Sequence, residues 1–293
     1  MIFSLEAPAH LWTTTLQGLG GIEQGSLQYR RFPDGESYIR VHSPCTGRDC
    51  VIVASMQDPD PRIPALLFAA RTLRSMGARR VGLAAPYLAY MRQDKIFEAG
   101  ESATARYFAE WLSSHFDWLV TIDPHLHRIH DLAEIYSIPT RVVRSAGRFA
   151  EWIKAHVEQP LLIGPDQESE QWAGDVAGRL RAPHLILTKV RSGDRNVAIS
   201  VPELGEYRDY TPVLVDDIVS TGRTMAETVQ QLVAAGLKAP VCLGVHGVLA
   251  SGALDDLKSA GAHRLVTSNT VENPAAEVDL GSEFAGGIAS FLD

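Results

Sequence analysis

Short, continuously apolar runs recur along the chain, and a helix-period segment separates nearly every one from the next. The runs are Val51–Ser55, Val81–Ala85, Trp118–Ile122, Leu161–Gly164, His184–Thr188, Val213–Val215 and Val241–Val245. Between them lie Ile63–Met76, Ala103–Ser114, Arg148–His156, Trp172–Leu180 and Met225–Ala235. A strand that is apolar along its whole length is buried on both faces, so the pattern specifies an α/β chain of mainly parallel sheets flanked by helices. The N-terminal part departs from it. Gly25–Arg31 and Tyr38–His42 flank the turn signal Pro33-Asp34-Gly35, which predicts an antiparallel hairpin. Leu73–Gly77 and Leu232–Gly236 echo one another, each a helix end stopped at glycine before a basic residue and a strand. A duplicated half accounts for the echo, and so does the ordinary shape of a helix-to-strand turn. The boundary between halves falls within Ile138–Ser145, which gives domains of 1–142 and 143–293.

At 293 residues the chain has room for two domains of ordinary size. Its net charge of −8, from 27 basic and 35 acidic residues, argues against a broad polyanion-binding surface, so no nucleic-acid partner is expected. No apolar run reaches membrane-spanning length, so no membrane partner is expected either. The opening residues lack the basic start and long apolar stretch of a signal peptide. Cys45, Cys50 and Cys242 are odd in number and unclustered, which suits a reducing compartment. A cytoplasmic protein is the expectation.

Residues 213–225 carry the most chemistry. The run Val213–Val215 leads into Asp216 and Asp217, then the loop Ser220, Thr221, Gly222, Arg223 and Thr224, then a helix. Backbone N–H groups at a helix N-terminus and nearby hydroxyls bind phosphate, and glycine lets the backbone close around it. Two carboxylates beside that cradle would repel a phosphate unless vicinal sugar hydroxyls or a magnesium ion stood between. The segment therefore reads as a site for a phosphorylated sugar.

Other polar clusters follow predicted strands, where ligands of parallel α/β sheets bind. Arg92 can fork onto a phosphate and Gln93 can bond a base or phosphate, with Asp94 beside them; a solvated loop is the alternative. The histidines of 123–130 lack the cysteines and spacing of structural zinc, leaving a catalytic magnesium or a surface role. Asp166 is either a magnesium ligand or a helix N-cap. Lys189 and Arg191, before the polar stretch 192–196, are two cations able to offset charge in a phosphoryl transfer from a mobile lid. Neither a Gly-x-x-x-x-Gly-Lys P-loop nor a Gly-x-Gly-x-x-Gly fingerprint occurs where a nucleotide fold would place it.

Together these residues resemble the ribose-phosphate pyrophosphokinase family over nearly the whole chain. The 213–224 segment is similar to the signature this family shares with type I phosphoribosyltransferases. The discriminating pieces are Phe32-x-Asp34-Gly35-Glu36, Pro86-Tyr87 through Arg92-Gln93-Asp94, Asp123-x-His125, Pro165-Asp166 and Lys189-x-Arg191. The resemblance implies two similar type I phosphoribosyltransferase-like domains. It implies that Phe32, Asp34, Gly35 and Glu36 reach the adenine of ATP from a neighbouring subunit, and that Arg92, Gln93 and Asp94 hold the nucleotide. His125 and Asp166 would attend Mg2+, and Lys189 and Arg191 the transition state. Asp216 and Asp217 would bind the ribose hydroxyls, and Ser220 to Thr224, with Arg191, the 5-phosphate. The implied reaction moves the β,γ-diphosphoryl group of ATP to the 1-hydroxyl of ribose 5-phosphate, giving PRPP and AMP, in a homo-oligomer with its active site at a subunit interface. A phosphoribosyltransferase, or a paralogue with another substrate, is the alternative. Ser220, Arg223 and Glu168-Ser169-Glu170 depart from the family pattern, and the short chain is similar to its smaller, archaeal-like members.

Overall fold

The computed structural model describes residues 1–96, 98–192, 196–200 and 204–292. Two compact units divide the chain: Met1–Arg144 with Leu280–Asp293, and Ser145–Asp279.

The first unit begins with β1 (Ile2–Ser4) and α1 (Ala9–Gly18), followed by the hairpin β2 (Leu27–Arg31) and β3 (Ser37–Val41). It continues through β4 (Asp49–Val53), α2 (Ile63–Ser75), β5 (Arg80–Ala85), α3 (Thr104–Ser113), β6 (Trp118–Ile122) and β7 (Thr140–Val143). The sheet is parallel throughout and ordered β1-β4-β5-β6-β7, so each strand lies beside its predecessor in the sheet. Register aligns Phe3, Ile52, Leu83 and Leu119 in one row across four strands. That row packs with Leu66 and Leu73 of α2 and Phe108 and Leu112 of α3 in the unit's main core. Such side chains each contribute about 1.5–3 kcal/mol on burial, so this face is a large source of the unit's stability.

The second unit runs α4 (Ala146–His156), β8 (Pro160–Gly164), α5 (Glu170–Leu180), β9 (His184–Ile186) and the antiparallel ribbon β10 (Thr188–Ser192) and β11 (Asn196–Ser200). Then come β12 (Thr211–Val219), α6 (Arg223–Ala234), β13 (Val241–Gly247), α7 (Ala253–Ser259), β14 (Arg264–Ser268) and β15 (Ala276–Val278). Its parallel sheet has the order β15-β14-β13-β12-β8-β9. From β8 the chain moves outward to β9, returns to β12 on the other side of β8, and proceeds the opposite way. The order thus reverses between β8 and β12, and ligands of open α/β sheets bind outside the carboxyl ends of strands at such a reversal.

The glycine echo has a local cause. At the ends of α2 and α6, Gly77 and Gly236 adopt positive φ, and the next residue's N–H bonds back to Leu73 and Leu232. Gly261 repeats the arrangement after α7, with Ala262 donating to Leu257. A third occurrence, inside one unit, shows that the echo follows from a helix-stopping motif and is not by itself a sign of duplication.

The last helix, α8 (Gly281–Ala289), corrects the expected division: its segment belongs to the first unit, and the first boundary lies at Arg144/Ser145, not 142/143. A Cβ on Gly281 would lie 1.9 Å from Thr14 Oγ1, and one on Gly287 would lie 2.7 Å from Val143 and 3.0 Å from Val120. Helix α8 therefore covers the face of the first sheet that α2 and α3 leave open. Arg80 fastens the segment further by donating to the Phe291 carbonyl at 2.8 Å. Cys45, Cys50 and Cys242 are all buried free thiols, and burial pushes Cys50 and Cys242 up to about 12. Among the described residues no helix is long and apolar enough to cross a membrane.

Candidate active site

In the second unit the acids stand on the strand itself. β12 runs past the expected end at Val215 to Val219, because β13 continues beside it, pairing Ile218 with His246 and Val219 with Gly247. Asp217 is buried, and Asp216 is half-buried. Burial, together with the charges of Asp217 and Asp166, raises the Asp216 carboxyl well above the ordinary range. Three acids that repel one another at the reversal between β8 and β12 form a place for a cation or for hydroxyl donors.

The next residues form the turn into α6, with backbone N–H groups of the kind that bind anions. Gly222 caps α6 with φ 69, a left-handed conformation that L side chains adopt at a cost. Helix α6 starts at Arg223, earlier than the expected Met225, so Arg223 and Thr224 sit in its first turn with N–H groups beyond intrahelical reach. Arg223 N leans on Thr221 Oγ1 at 3.5 Å. The Ser220 carbonyl is held by Ala250 N at 3.1 Å, so the turn after β13 supports the loop.

Asp166 follows β8 and caps the short 3-10 turn Gln167–Ser169. Its Oδ1 accepts from Ser169 N at 3.2 Å, and Ser169 Oγ donates to its carbonyl at 2.6 Å. The N-cap alternative is thus realised, and it uses one of the roughly four lone-pair positions of a carboxylate. Lys189 and Arg191 lie in β10, opposite Ile199 and Val197. Their side chains, that of Glu168, and the expected lid residues 193–195 lie outside the described part of the structure.

In the first unit the hairpin is anchored along its strands, up to the closing pair Arg31–Ser37, and exposed at its tip. Arg31 donates to Tyr29 Oη at 2.9 Å and to the Pro61 carbonyl at 2.8 Å, and Tyr29 and Ile39 pack on the core. The tip closes through Phe32 N to Glu36 O and Gly35 N to Phe32 O, and Asp34 Oδ1 accepts from Glu36 N at 3.2 Å. Phe32 is 38% exposed, with the Arg30 guanidinium 4.4 Å from its ring centre and 4.2 Å from that of Tyr38. An exposed aromatic held in place this way is a preformed stacking surface.

The loop after β5 is tied to the loop after β6. Asp94 is buried and accepts from Arg128 N at 3.1 Å and Arg128 Nη1 at 3.2 Å. Its place is that of a fastener between loops. Gln93 fixes the start of α3, its carbonyl taking Ala105 N and its side chain taking Thr104 Oγ1 at 3.2 Å, while Arg92 is exposed. Asp123, with φ 29, bonds Arg144 Nη1 at 3.2 Å, and His125 stands half-buried between these two fastenings. The ties made by Arg128 and Arg144 escaped the sequence reading, since a tie between distant loops leaves no periodic signal.

Among the described residues no group of three or more His, Cys, Asp and Glu side chains forms a metal cage. The donor chemistry still fits magnesium, which keeps its waters and binds one or two carboxylates together with substrate phosphates.

Residues 1–115 match the family model described as the N-terminal domain of ribose phosphate pyrophosphokinase, and residues 132–285 match the phosphoribosyl transferase domain. A ribose-phosphate pyrophosphokinase of Methanobrevibacter smithii is 30% identical over 271 residues, covering 88% of this chain and 90% of the relative. One from Methanothermobacter thermautotrophicus is 31% identical over 255 residues, covering 87% and 88%. The fold matches the crystal structure of phosphoribosylpyrophosphate synthetase from Mycobacterium smegmatis with a TM-score of 0.87 at 24% identity, over 99% of this chain and 97% of that one. The chain belongs to the ribose-phosphate pyrophosphokinase family.

Proposed function

We infer that this chain is a ribose-phosphate diphosphokinase, joining ATP and ribose 5-phosphate to give PRPP and AMP. The observation that carries the reading is the pairing of two parts in one chain. A phosphosugar cradle at the β12–α6 junction is joined to a first unit that matches the pyrophosphokinase N-terminal model over residues 1–115. A phosphoribosyltransferase needs only the first of these parts.

In the reaction, the 1-hydroxyl oxygen of ribose 5-phosphate forms a bond to the β-phosphorus of ATP. The bond from that phosphorus to the α,β-bridging oxygen breaks, AMP departs with the oxygen, and the hydroxyl proton passes to solvent. Little covalent work falls to the protein, so positioning and charge carry the acceleration. The α6 N-terminus with Ser220, Thr221 and Gly222 holds the 5-phosphate. Asp216 and Asp217 accept from the ribose hydroxyls, which would replace the repulsion between them with hydrogen bonds. Phe32 stacks on adenine with Asp34, Gly35 and Glu36 beside it, and Arg92 and Gln93 bind the nucleotide, on loops that Asp94 fastens. Lys189 and Arg191 offset charge on the transferred group. Magnesium, attended by His125 and Asp166, would supply charge neutralisation on the phosphates. The hairpin serves a neighbouring subunit's nucleotide, so the active form is a cytoplasmic homo-oligomer.

The test is Lys189→Ala. The expected result is kcat lowered by about two orders of magnitude or more with ribose 5-phosphate affinity kept, the signature of an interaction made in the transition state. Full activity in that variant would overturn the assignment of Lys189.

A further inference from the structure

His246 stands on β13 beside the acids of β12, and the reaction above gives it no part. It is 1% exposed, and the register sets it against Ile218, with Asp216 against Gly244. Its Nδ1 lies 2.8 Å from Thr270 Oγ1. Thr270 Oγ1 lies 3.0 Å from Ser268 Oγ, and Ser268 Oγ lies 2.5 Å from the Val245 carbonyl oxygen. Each contact needs a hydrogen. Ser268 owns one hydroxyl proton, and so short an approach to a carbonyl commits it there. The hydrogen between Ser268 and Thr270 must then come from Thr270. Thr270 Oγ1 is left as an acceptor toward the imidazole, so His246 Nδ1 carries a hydrogen. This is the one assignment that puts a hydrogen in all three contacts. Thr270 Oγ1 also lies 3.4 Å from the Val245 carbonyl, and Thr270 N donates to Ser268 Oγ at 3.3 Å, so the segment after β14 is bound to β13.

The relay sits at the root of the turn that supports the phosphate loop. Val248 N donates to the His246 carbonyl at 3.1 Å, and Ala250 N donates to the Ser220 carbonyl at 3.1 Å. Ser220 opens the loop that ends at the Gly222 cap of α6. A displacement of His246 therefore reaches Ser220 through one short turn. An apolar side chain of similar size would fill the space but remove the donor that orients Thr270.

We propose that His246, held in the Nδ1–H form by Thr270 and Ser268, is a positioning residue for the 220–224 loop, setting affinity for the sugar phosphate and leaving the nucleotide site untouched. The inference rests on the functional reading above. Its test uses His246→Leu, Thr270→Val, His246→Asn and Thr270→Ser in the full chain. The Asn amide nitrogen can take the place of Nδ1 and donate to Thr270, and the Ser variant keeps the hydroxyl. The expected result is a rise of about tenfold in KM for ribose 5-phosphate in the Leu and Val variants, with KM for ATP within about twofold of the parent. The Asn and Ser variants should recover most of the loss, and Leu with Val together should be no worse than either alone, because both break one relay. Melting curves separate these effects from failure to fold; if Leu and Val do not fold, His246→Gln, whose amide lies at the Nε2 position, replaces them with the same expectation. Calorimetry with ribose 5-phosphate is read on the parent protein first. No binding there would overturn the functional reading itself. Binding by the parent and equally by His246→Leu or its Gln replacement, or a parallel rise of both KM values, would overturn the positioning role.

Discussion

Gly222 is where local strain and the proposed phosphate loop meet. Its φ of 69 sets the entry to α6, and an added Cβ would stand 3.4 Å from Leu257. Gly222→Ala is expected to cost about 1–2 kcal/mol, mostly as left-handed backbone strain, and to raise KM for ribose 5-phosphate as the loop shifts to relieve it. Denaturant melts and steady-state kinetics measure the two effects. Asp216 behaves in the opposite way. Burial and the neighbouring Asp217 and Asp166 charges raise its folded pKa above the unfolded value. Its contribution to stability is complete below the ordinary carboxylate range and is lost as pH rises through the raised value. At neutral pH the ionised group is a cost to the folded state. Asp216→Asn is therefore expected to raise the melting temperature of the ligand-free protein at pH 7 while weakening ribose 5-phosphate binding. A lowered melting temperature would show that the acid's repulsion is already relieved in the native state.

Among the elements, the hairpin is the one whose base and tip have separate duties. Its base belongs to the core through Tyr29 and Ile39, and Phe32 at the tip packs on Tyr38 and Arg30 in the open. Phe32→Ala is expected to leave folding nearly unchanged and raise KM for ATP several-fold, with ribose 5-phosphate binding unaffected. This hairpin and the major strands were legible in the sequence because burial on two faces writes itself as uninterrupted apolar runs, and a turn needs its Pro-Asp-Gly. The β12–α6 strand–loop–helix unit was legible too, since an apolar run, acids, hydroxyls and glycine follow one another along the chain. Strands β1 and β15 span Ile2–Ser4 and Ala276–Val278, too short for any period to register. Helix α8 was hidden by Gly281, Gly286 and Gly287, poor helix formers, two of which close packing against Thr14 and Val143 demands. The Asp94–Arg128 tie joins loops across two strands, and nothing local marks either partner.

Across the whole molecule, the chain's last segment completes the unit in which the chain begins. Phe284 and Ile288 of α8 are fully buried, and each contributes about 1.5–3 kcal/mol. Truncation after Asp279 is expected to abolish the cooperative unfolding of the first unit, which calorimetry would record as a missing transition. The proposed sharing of the hairpin between subunits gives activity that falls faster than enzyme concentration on dilution, checked by assays paired with sedimentation. Most direct is the fate of phosphorus when ATP, magnesium and ribose 5-phosphate are mixed with the protein and followed by 31P NMR. AMP and a 1-diphosphorylated ribose 5-phosphate in equal amounts, with no ADP, is the expected outcome. ADP as the nucleotide product, or no turnover while both substrates bind, would contradict diphosphoryl transfer as the activity of this chain.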